Sequence, residues 1–215
     1  MTGGVEVEVK YAVDDPERIR ELVARPQPHL LAGFEAAGAL RQVEVLDRYV
    51  DTADGALDGA LARARLRSSD GRVRLALKRQ GVEEAGVTTR VELEADATAD
   101  LDPARWPDSP ARRELLAVVG SSELVETARL RQHRLVRDVV RAETRVELSL
   151  DRLEALDGDT VVGTRWELEA ELKAGRREDL AELSNALQVH PGLSLAAESK
   201  RLFALLAVER ARAER

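Results

Sequence analysis

Glu6-Val7-Glu8-Val9-Lys10 decides how the rest of the chain is read. Side chains alternate across a strand with a period of two, so Val5, Val7 and Val9 share one face and Glu6, Glu8 and Lys10 the other. A single stripe of this kind describes the solvated face of any antiparallel sheet. The same device recurs on most later strands, with complementary signs.

Working outward, residues 4–13 read as the first strand. Asp14-Asp15-Pro16 starts a helix, with an aspartate cap and proline in its first turn. A second helical piece is expected around His29 to Ala37, ended by Gly38. From Leu40 to Thr52 the period returns to two, with Asp47, Tyr49 and Asp51 on one face. Ala60 to Ser68 presents Arg63, Arg65 and Arg67 together. Asp70-Gly71 signals a hairpin, and Arg72 to Arg79 returns with Arg72, Arg74 and Lys78 opposite Val73, Leu75 and Leu77. The following strand carries Arg90, Glu92 and Glu94.

Residues from about 100 to 123 read as a helical insertion, with start signals at Asp102-Pro103 and Ser109-Pro110. Strands then resume. Leu124 to Arg137 is read with Thr127, Arg129, Arg131 and His133 on one face, and Val139 to Asp151 with Arg145, Glu147, Ser149 and Asp151. Val161 to Lys173 alternates Arg165, Glu167, Glu169, Glu171 and Lys173 with Trp166, Leu168, Ala170 and Leu172. Two helices end the chain over about 178–215; Leu202, Leu205, Leu206 and Val208 are expected to be the apolar side of the second.

Composition narrows the classes. The 215 residues suit one large domain or two small ones, and one domain over 1–215 is expected. A net charge of −7 argues against a generally basic nucleic-acid or membrane surface, and 3% aromatic residues argue against a base-stacking platform. There is no cysteine, which excludes disulfides, thiolate metal sites and cysteine nucleophiles and suits a cytoplasmic protein. No apolar run is long enough to span a bilayer. His29, His133 and His190 show no ligand spacing, and no Gly-x-x-x-x-Gly-Lys segment is present. The sequence does not fix the oligomeric state; a monomer and a homodimer are both compatible with it.

The eight strands and the helices all have apolar faces that must be buried. Packing the helices outside a closed antiparallel sheet does this and turns the charged faces inward. An open sheet with its charges in solvent is the alternative. Eight strands enclose room for one small ligand if side chains do not fill it. Grouped carboxylates repel unless they hold a cation, and hard divalent ions prefer oxygen ligands. Grouped guanidiniums match the oxygens of phosphate. A metal-bound polyphosphate would satisfy both sets; mutual salt bridging would also satisfy them, and the pattern alone does not choose.

Seven stretches, in order, resemble the CYTH superfamily of triphosphate tunnel metalloenzymes. They are Glu6 to Lys10, Asp47 to Thr52, Gly59 to Arg65, Leu75 to Lys78, Arg90 to Glu94, Glu167 to Lys173 and Ser199-Lys200. Leu61-Ala62 departs from the family's usual alanine-leucine order. The resemblance implies an α+β fold, an eight-stranded antiparallel β-barrel or tunnel with helices outside and at the C-terminal end. It implies hydrolysis of a triphosphate by metal-activated water, with Mg²⁺ or Mn²⁺ as cofactor. Inorganic triphosphate is the leading substrate. Thiamine triphosphate hydrolysis, ATP cyclisation and simple polyphosphate or nucleotide binding are the alternatives. Carried over by position, Glu6, Glu8, Glu169 and Glu171 would hold metal, with Asp151 a further ligand. Lys10, Arg63, Arg65, Lys78, Arg131 and Lys200 would grip phosphate, joined by Arg90 and Arg129. Glu6, Glu8, Lys10, Glu169 and Glu171 would be the catalytic set. The partner is then a small triphosphate, with no nucleic acid and no membrane.

Overall fold

The protein is seen in a computed structural model that describes residues 2–84, 87–196 and 198–214. In chain order its strands are β1 (Thr2–Val13), β2 (Glu35–Thr52), β3 (Ala62–Ser69), β4 (Arg72–Arg79), β5 (Val82–Glu84), β6 (Val87–Ala97), β7 (Leu124–Arg141), β8 (Thr144–Asp157), β9 (Thr160–Ala174) and β10 (Leu193–Leu195). The helices are α1 (Pro16–Ala24), α2 (Ala56–Gly59), α3 (Pro110–Val119), α4 (Arg177–Gln188) and α5 (Lys200–Ala213).

Short turns set the pairing. Asp70 and Gly71 take φ of 51° and 71°, the left-handed pair that a two-residue hairpin requires, and they join β3 to β4. Ala142 (φ 51°) and Gly158 (φ 63°) make the β7–β8 and β8–β9 turns. The strand order is β1-β9-β8-β7-β2-β3-β4-β6, and β6 pairs back onto β1. The antiparallel sheet therefore closes as a ring of eight, while β5 and β10 extend it at the sides.

The outer face is apolar and carries the helices. Val7, Val9 and Tyr11 of β1 pack with Leu148 and Leu150 of β8, Leu168 of β9, Ile19 and Val23 of α1, and Leu180, Leu183 and Leu187 of α4. The Tyr11 hydroxyl is satisfied by Ser184 of α4, 2.8 Å from its hydroxyl and 2.9 Å from its carbonyl oxygen. Leu115 and Val119 of α3 cover Leu66, Leu75 and Leu77 of β3 and β4. Among the described residues no helix is long and apolar enough to cross a membrane.

α5 sits differently. Its Ala204 and Ala207 pack on Tyr49, Ala128, Leu130, Leu153 and Ala155, which belong to the inner face of β2, β7 and β8. The helix thus closes one end of the ring. The contact is close: a Cβ at Gly163 of β9 would lie 2.8 Å from that of Ala207. Small residues, rather than the expected Leu202 stripe, are buried because the helix must lie against the strands; Leu202 is 45% exposed.

Two other expectations give way. The helix expected over 29–37 is a single 3-10 turn at Pro28–Leu30, and Glu35 to Ala37 already belong to β2, paired with Val140 to Asp138. Gly38 (φ 67°) sits where the register shifts, so it marks a bulge rather than a helix end. In β7 the faces are reversed. Leu135 and Val139 belong to the outer core while Leu130 packs on α5 inside, so Arg129, Arg131 and His133 point outward and Gln132 and Arg134 inward.

Gly163→Val is expected to destabilise the fold by about 1–3 kcal/mol by forcing α5 off the strands. Gly59→Ala, where an added Cβ meets nothing within 4 Å, is the control. Denaturant unfolding of both variants measures the difference; equal stabilities would show that α5 is not seated on β9.

Candidate functional site

Closure of the ring brings like charges face to face. Glu8 stands directly opposite Glu171 across β1 and β9, and Glu147 and Asp151 of β8 stand opposite Glu171 and Glu167. Four strands away around the ring, Arg63 stands opposite Lys78 and Arg67 opposite Arg74 across β3 and β4. Like charges directly opposed in a sheet are destabilising unless something bridges them. The interior has an acidic wall and a basic wall, with mixed charge on β6, β2 and β7 between.

The walls are tied by ion pairs. Lys78 of the basic side reaches Glu6 at 2.8 Å and Glu92 at 3.3 Å. Arg90 lies 2.5 Å from Glu6 and also contacts Glu8. Lys10 bridges Glu8 (3.2 Å) and Glu169 (3.3 Å). Lys200, the first residue of α5, enters from the closed end to meet Asp151 at 2.5 Å, Glu169 at 3.1 Å and the side-chain carbonyl of Gln132 at 2.9 Å. Asp47 is fully buried and accepts from Arg65 (3.2 Å), Arg67 (2.7 Å) and Gln132 (2.5 Å). Arg63 is exposed beside the N-terminal end of α5 and donates to the hydroxyl of Ser199 at 3.2 Å.

Burial and neighbours divide the acids into two sets. Burial alone would raise Glu6, but Lys78 and Arg90 pull it down to about 2. Burial likewise opposes ionisation of Asp47 and Glu169, yet Arg65 and Arg67 for the first, and Lys200, Lys10 and Arg134 for the second, hold both well below the usual carboxylate range. Glu171 is pushed up by burial, and Glu6 and Glu8 add to this against the pull of Lys173. Burial also raises Glu92 and Glu167. Lys78 is lowered by burial and by Arg65 and Arg90, despite its bond to Glu6. Glu6 and Lys78 thus move in the same direction although they are partners, because Lys78 lies among other cations as well.

Glu6, Glu8, Glu169 and Glu171 are all-oxygen donors in one cavity, of the kind a hard divalent ion takes. Burial raises Glu171 most, and the added repulsion from Glu6 and Glu8 is what such an ion would relieve, so the donor set fits one. Among the described residues no three acidic or imidazole side chains already converge on a common point, because Arg90, Lys78 and Lys10 hold the carboxylates apart. The central cavity measures about 90 Å³, room for about three waters. An extended anion placed there would meet cations already engaged by carboxylates.

Most residues expected at the site line that cavity: Glu6, Glu8, Lys10, Arg63, Arg65, Lys78, Arg90, Glu169, Glu171 and Lys200. Asp151 lies behind it, fully buried, with its oxygens taken by Arg134, Lys200 and Ser149. Arg129 and Arg131 are not there. They lie on the outer face, Arg129 with Glu126 at 2.8 Å and Arg131 with Glu154 at 3.2 Å. His133 is outside too, between Glu44 and Glu154. Arg134 takes their place, 2.9 Å from Asp151 and 3.2 Å from Glu169. Counting back from the true β7–β8 turn would have found it, since Arg134 is the cross-strand partner of Asp151.

The two acid sets titrate oppositely. The raised carboxyls of Glu92, Glu167 and Glu171 contribute stability that is fully present below the ordinary glutamate value of about 4.3 and is lost as pH rises through their folded values. Glu6 contributes stability present above that value and lost only as pH falls through about 2. In chelator, the melting temperature is therefore expected to rise as pH is lowered from neutral towards about 5, and Glu171→Gln to flatten the rise. A wild-type profile that falls over this range would contradict the raised acids.

Comparison with known proteins agrees with this architecture. No curated protein sequence matches the chain. Among solved structures, HpAC1 of Hippeastrum, described as having a dominant triphosphatase activity, is 22% identical, with a TM-score of 0.67 over 96% of each chain. A proposed adenylate cyclase of Bacillus halodurans is 18% identical, with a TM-score of 0.61 over 93% of this chain and 97% of that one. The PH1012 protein of Pyrococcus horikoshii is 16% identical, with a TM-score of 0.55 over 92% and 98%. The family model described as the CYTH domain matches residues 4–202, nearly the whole ring and the start of α5, and the chain accordingly belongs to the CYTH domain family.

Proposed function

We propose that the protein is a divalent-cation-dependent triphosphatase, with inorganic triphosphate as its substrate. The observation that carries this reading is the facing of Glu8 and Glu171 on one wall and Arg63 and Lys78 on the other. A cation held between the carboxylates and a phosphate chain held by the cations cancel both repulsions together. The family and the neighbour described as a triphosphatase support the same reaction.

In this reading Lys10, Arg63, Arg65, Lys78, Arg90 and Lys200 grip phosphate oxygens, and Glu6, Glu8, Glu169 and Glu171 hold Mg²⁺ or Mn²⁺. The bound ion supplies Lewis-acid neutralisation of the phosphate charge and a lower pKa for water. The side chains themselves orient the chain and exclude bulk solvent; none acts as a nucleophile. Water adds to the terminal phosphorus, and the bridging oxygen leaves with the diphosphate. Asp151, Asp47 and Gln132 position Lys200, Arg134, Arg65 and Arg67 from behind. Tyr49 is the single aromatic among the residues lining the cavity, which offers no clamp for a nucleobase or thiazolium ring and favours the inorganic substrate.

Orthophosphate release from inorganic triphosphate is expected with Mg²⁺ or Mn²⁺ and not with chelator. Glu8→Gln and Glu169→Gln should each lower kcat/KM by about 100-fold or more, in line with the loss of one strong electrostatic group. Arg131→Ala, on the outer face, should stay within about twofold. Cyclic AMP from ATP in place of orthophosphate would move the assignment to a cyclase. Tight triphosphate binding without turnover would leave a binding module.

A further inference from the structure

Asp47, Tyr49 and Asp51 follow one another along one face of β2. The two aspartates are fully committed. Asp47 accepts from Arg65, Arg67 and Gln132. Asp51 accepts from the backbone amides of Thr52 (2.7 Å), Leu57 (2.8 Å) and Asp58 (3.1 Å), and so holds the start of α2. Tyr49, between them, is 7% exposed, yet its hydroxyl has no hydrogen-bond partner among the described residues. The bond that Thr127 donates to Tyr49, at 3.3 Å, goes to the backbone carbonyl.

The chain's other tyrosine is the useful contrast. Tyr11 is fully buried on the outer side of the ring, and its hydroxyl is shared with the hydroxyl and carbonyl of Ser184. A buried phenol ordinarily finds such a partner, because an unpaired hydroxyl loses its bonds to water and gains nothing in return. Tyr49 has no such bond within the protein.

Its surroundings indicate what could supply one. The ring packs with Ala204 and Ala207 of α5, and the residue stands opposite Arg65 of β3 on one side and Ala128 of β7 on the other. It lines the central cavity, and its oxygen is not sealed away from solvent. The other neutral polar side chain in that wall, Ser199, already accepts from the Leu202 amide and from Arg63, both at 3.2 Å. The cations Lys10, Lys78 and Arg90 are engaged by carboxylates and must give these up to take an anion. The Tyr49 hydroxyl can donate to one with nothing to release, and a hydrogen bond to an ionised acceptor belongs to the stronger class.

We propose that Tyr49 is a ligand-binding residue of the tunnel, its hydroxyl donating to a non-bridging oxygen of the bound phosphate chain beside Arg65, at the end of the cavity that α5 closes. This rests on the triphosphate reading of that cavity. The hydroxyl finds its partner in the ligand rather than in the protein, so it serves the site at the expense of the fold. The two effects of removing it therefore have opposite signs, which a purely structural phenol would not show.

The test compares the wild type with Tyr49→Phe and Tyr11→Phe, each of which removes one oxygen and keeps the ring. Calorimetry with inorganic triphosphate, in chelator and with Mg²⁺, measures affinity, and thermal unfolding measures the free proteins. Tyr49→Phe should bind triphosphate about tenfold or more weakly, as expected for a lost hydrogen bond to a charged group. It should melt no lower than the wild type, because no bond within the protein is lost. Tyr11→Phe should do the reverse, melting lower without its Ser184 bonds and binding as the wild type does. The tyrosine ultraviolet difference signal that triphosphate induces should persist in Tyr11→Phe and vanish in Tyr49→Phe. Unchanged affinity in Tyr49→Phe, or a melting temperature lowered as in Tyr11→Phe, would overturn the proposal. Binding without turnover in the wild type would end the triphosphatase reading and leave the affinity ratio to decide the hydroxyl. No binding by the wild type would end both.

Discussion

Everything in this fold follows from the cost of placing like charges opposite each other inside a closed sheet. A ring whose outer face carries the helices must turn its other face inward, and here that face is ionic. Several acids and bases are drawn out of bulk water, and burial is the largest opposing influence on almost all of those that shift. The cost is met by direct cross-strand pairs, such as Lys10 with Glu169 and Arg90 with Glu6, and by longer ties, Lys78 to Glu6 and Lys200 to Asp151. Even so, Arg65 Nε and Glu167 Oε2 remain without hydrogen-bond partners.

That balance explains why the carboxylates are held apart. The same cations that would grip phosphate neutralise the acids in this structure, Arg90 against Glu6 and Glu8 being the clearest case. In the proposed reading binding would be an exchange of partners: carboxylates would pass from guanidinium to metal, and guanidinium from carboxylate to phosphate. Few charges need to be newly desolvated, which is where binding of a highly charged ligand usually loses its gain. The buried carboxylates at the back, Asp47 and Asp151, stay engaged with Arg65, Arg67, Arg134 and Lys200 and give the exchanging groups fixed anchors.

Much of this was legible in the sequence where one face of a strand stays apolar along its whole length. β1, β3, β4, β6 and β9 are of that kind, and their inward charges were read in the right phase from Glu6 to Lys173. β7 was not, because its apolar residues change sides. Near α5 the helix covers the inner face, so Ala128 and Leu130 point in; farther along, α1 covers the outer face, so Leu135 and Val139 point out. A count of alternation cannot see which face a distant helix will cover, and Arg129 and Arg131 were placed inside in error. The same blindness hid Gln132, an uncharged residue whose role depends on Asp47 and Lys200 lying on either side of it. Glu35 to Ala37 were misread for a related reason: pairing with β7 overrode a local preference for helix.

Closure of the ring also sets the order in which the site can come into being. Glu8 and Glu171 are 163 residues apart in the chain yet directly opposed in the sheet. The hairpins β3–β4 and β7–β8–β9 can form from local contacts. β1, made before its partners, has none on one side until β6 emerges and none on the other until β9 does. Such non-local pairing carries a loop-closure cost before it returns any stabilisation, and it slows folding. The alternating charge of β1 has a second use in that interval, because a strand edge bearing Glu6, Glu8 and Lys10 is a poor template for another chain. The residues that would serve chemistry in the finished ring thus guard the unfinished one against aggregation.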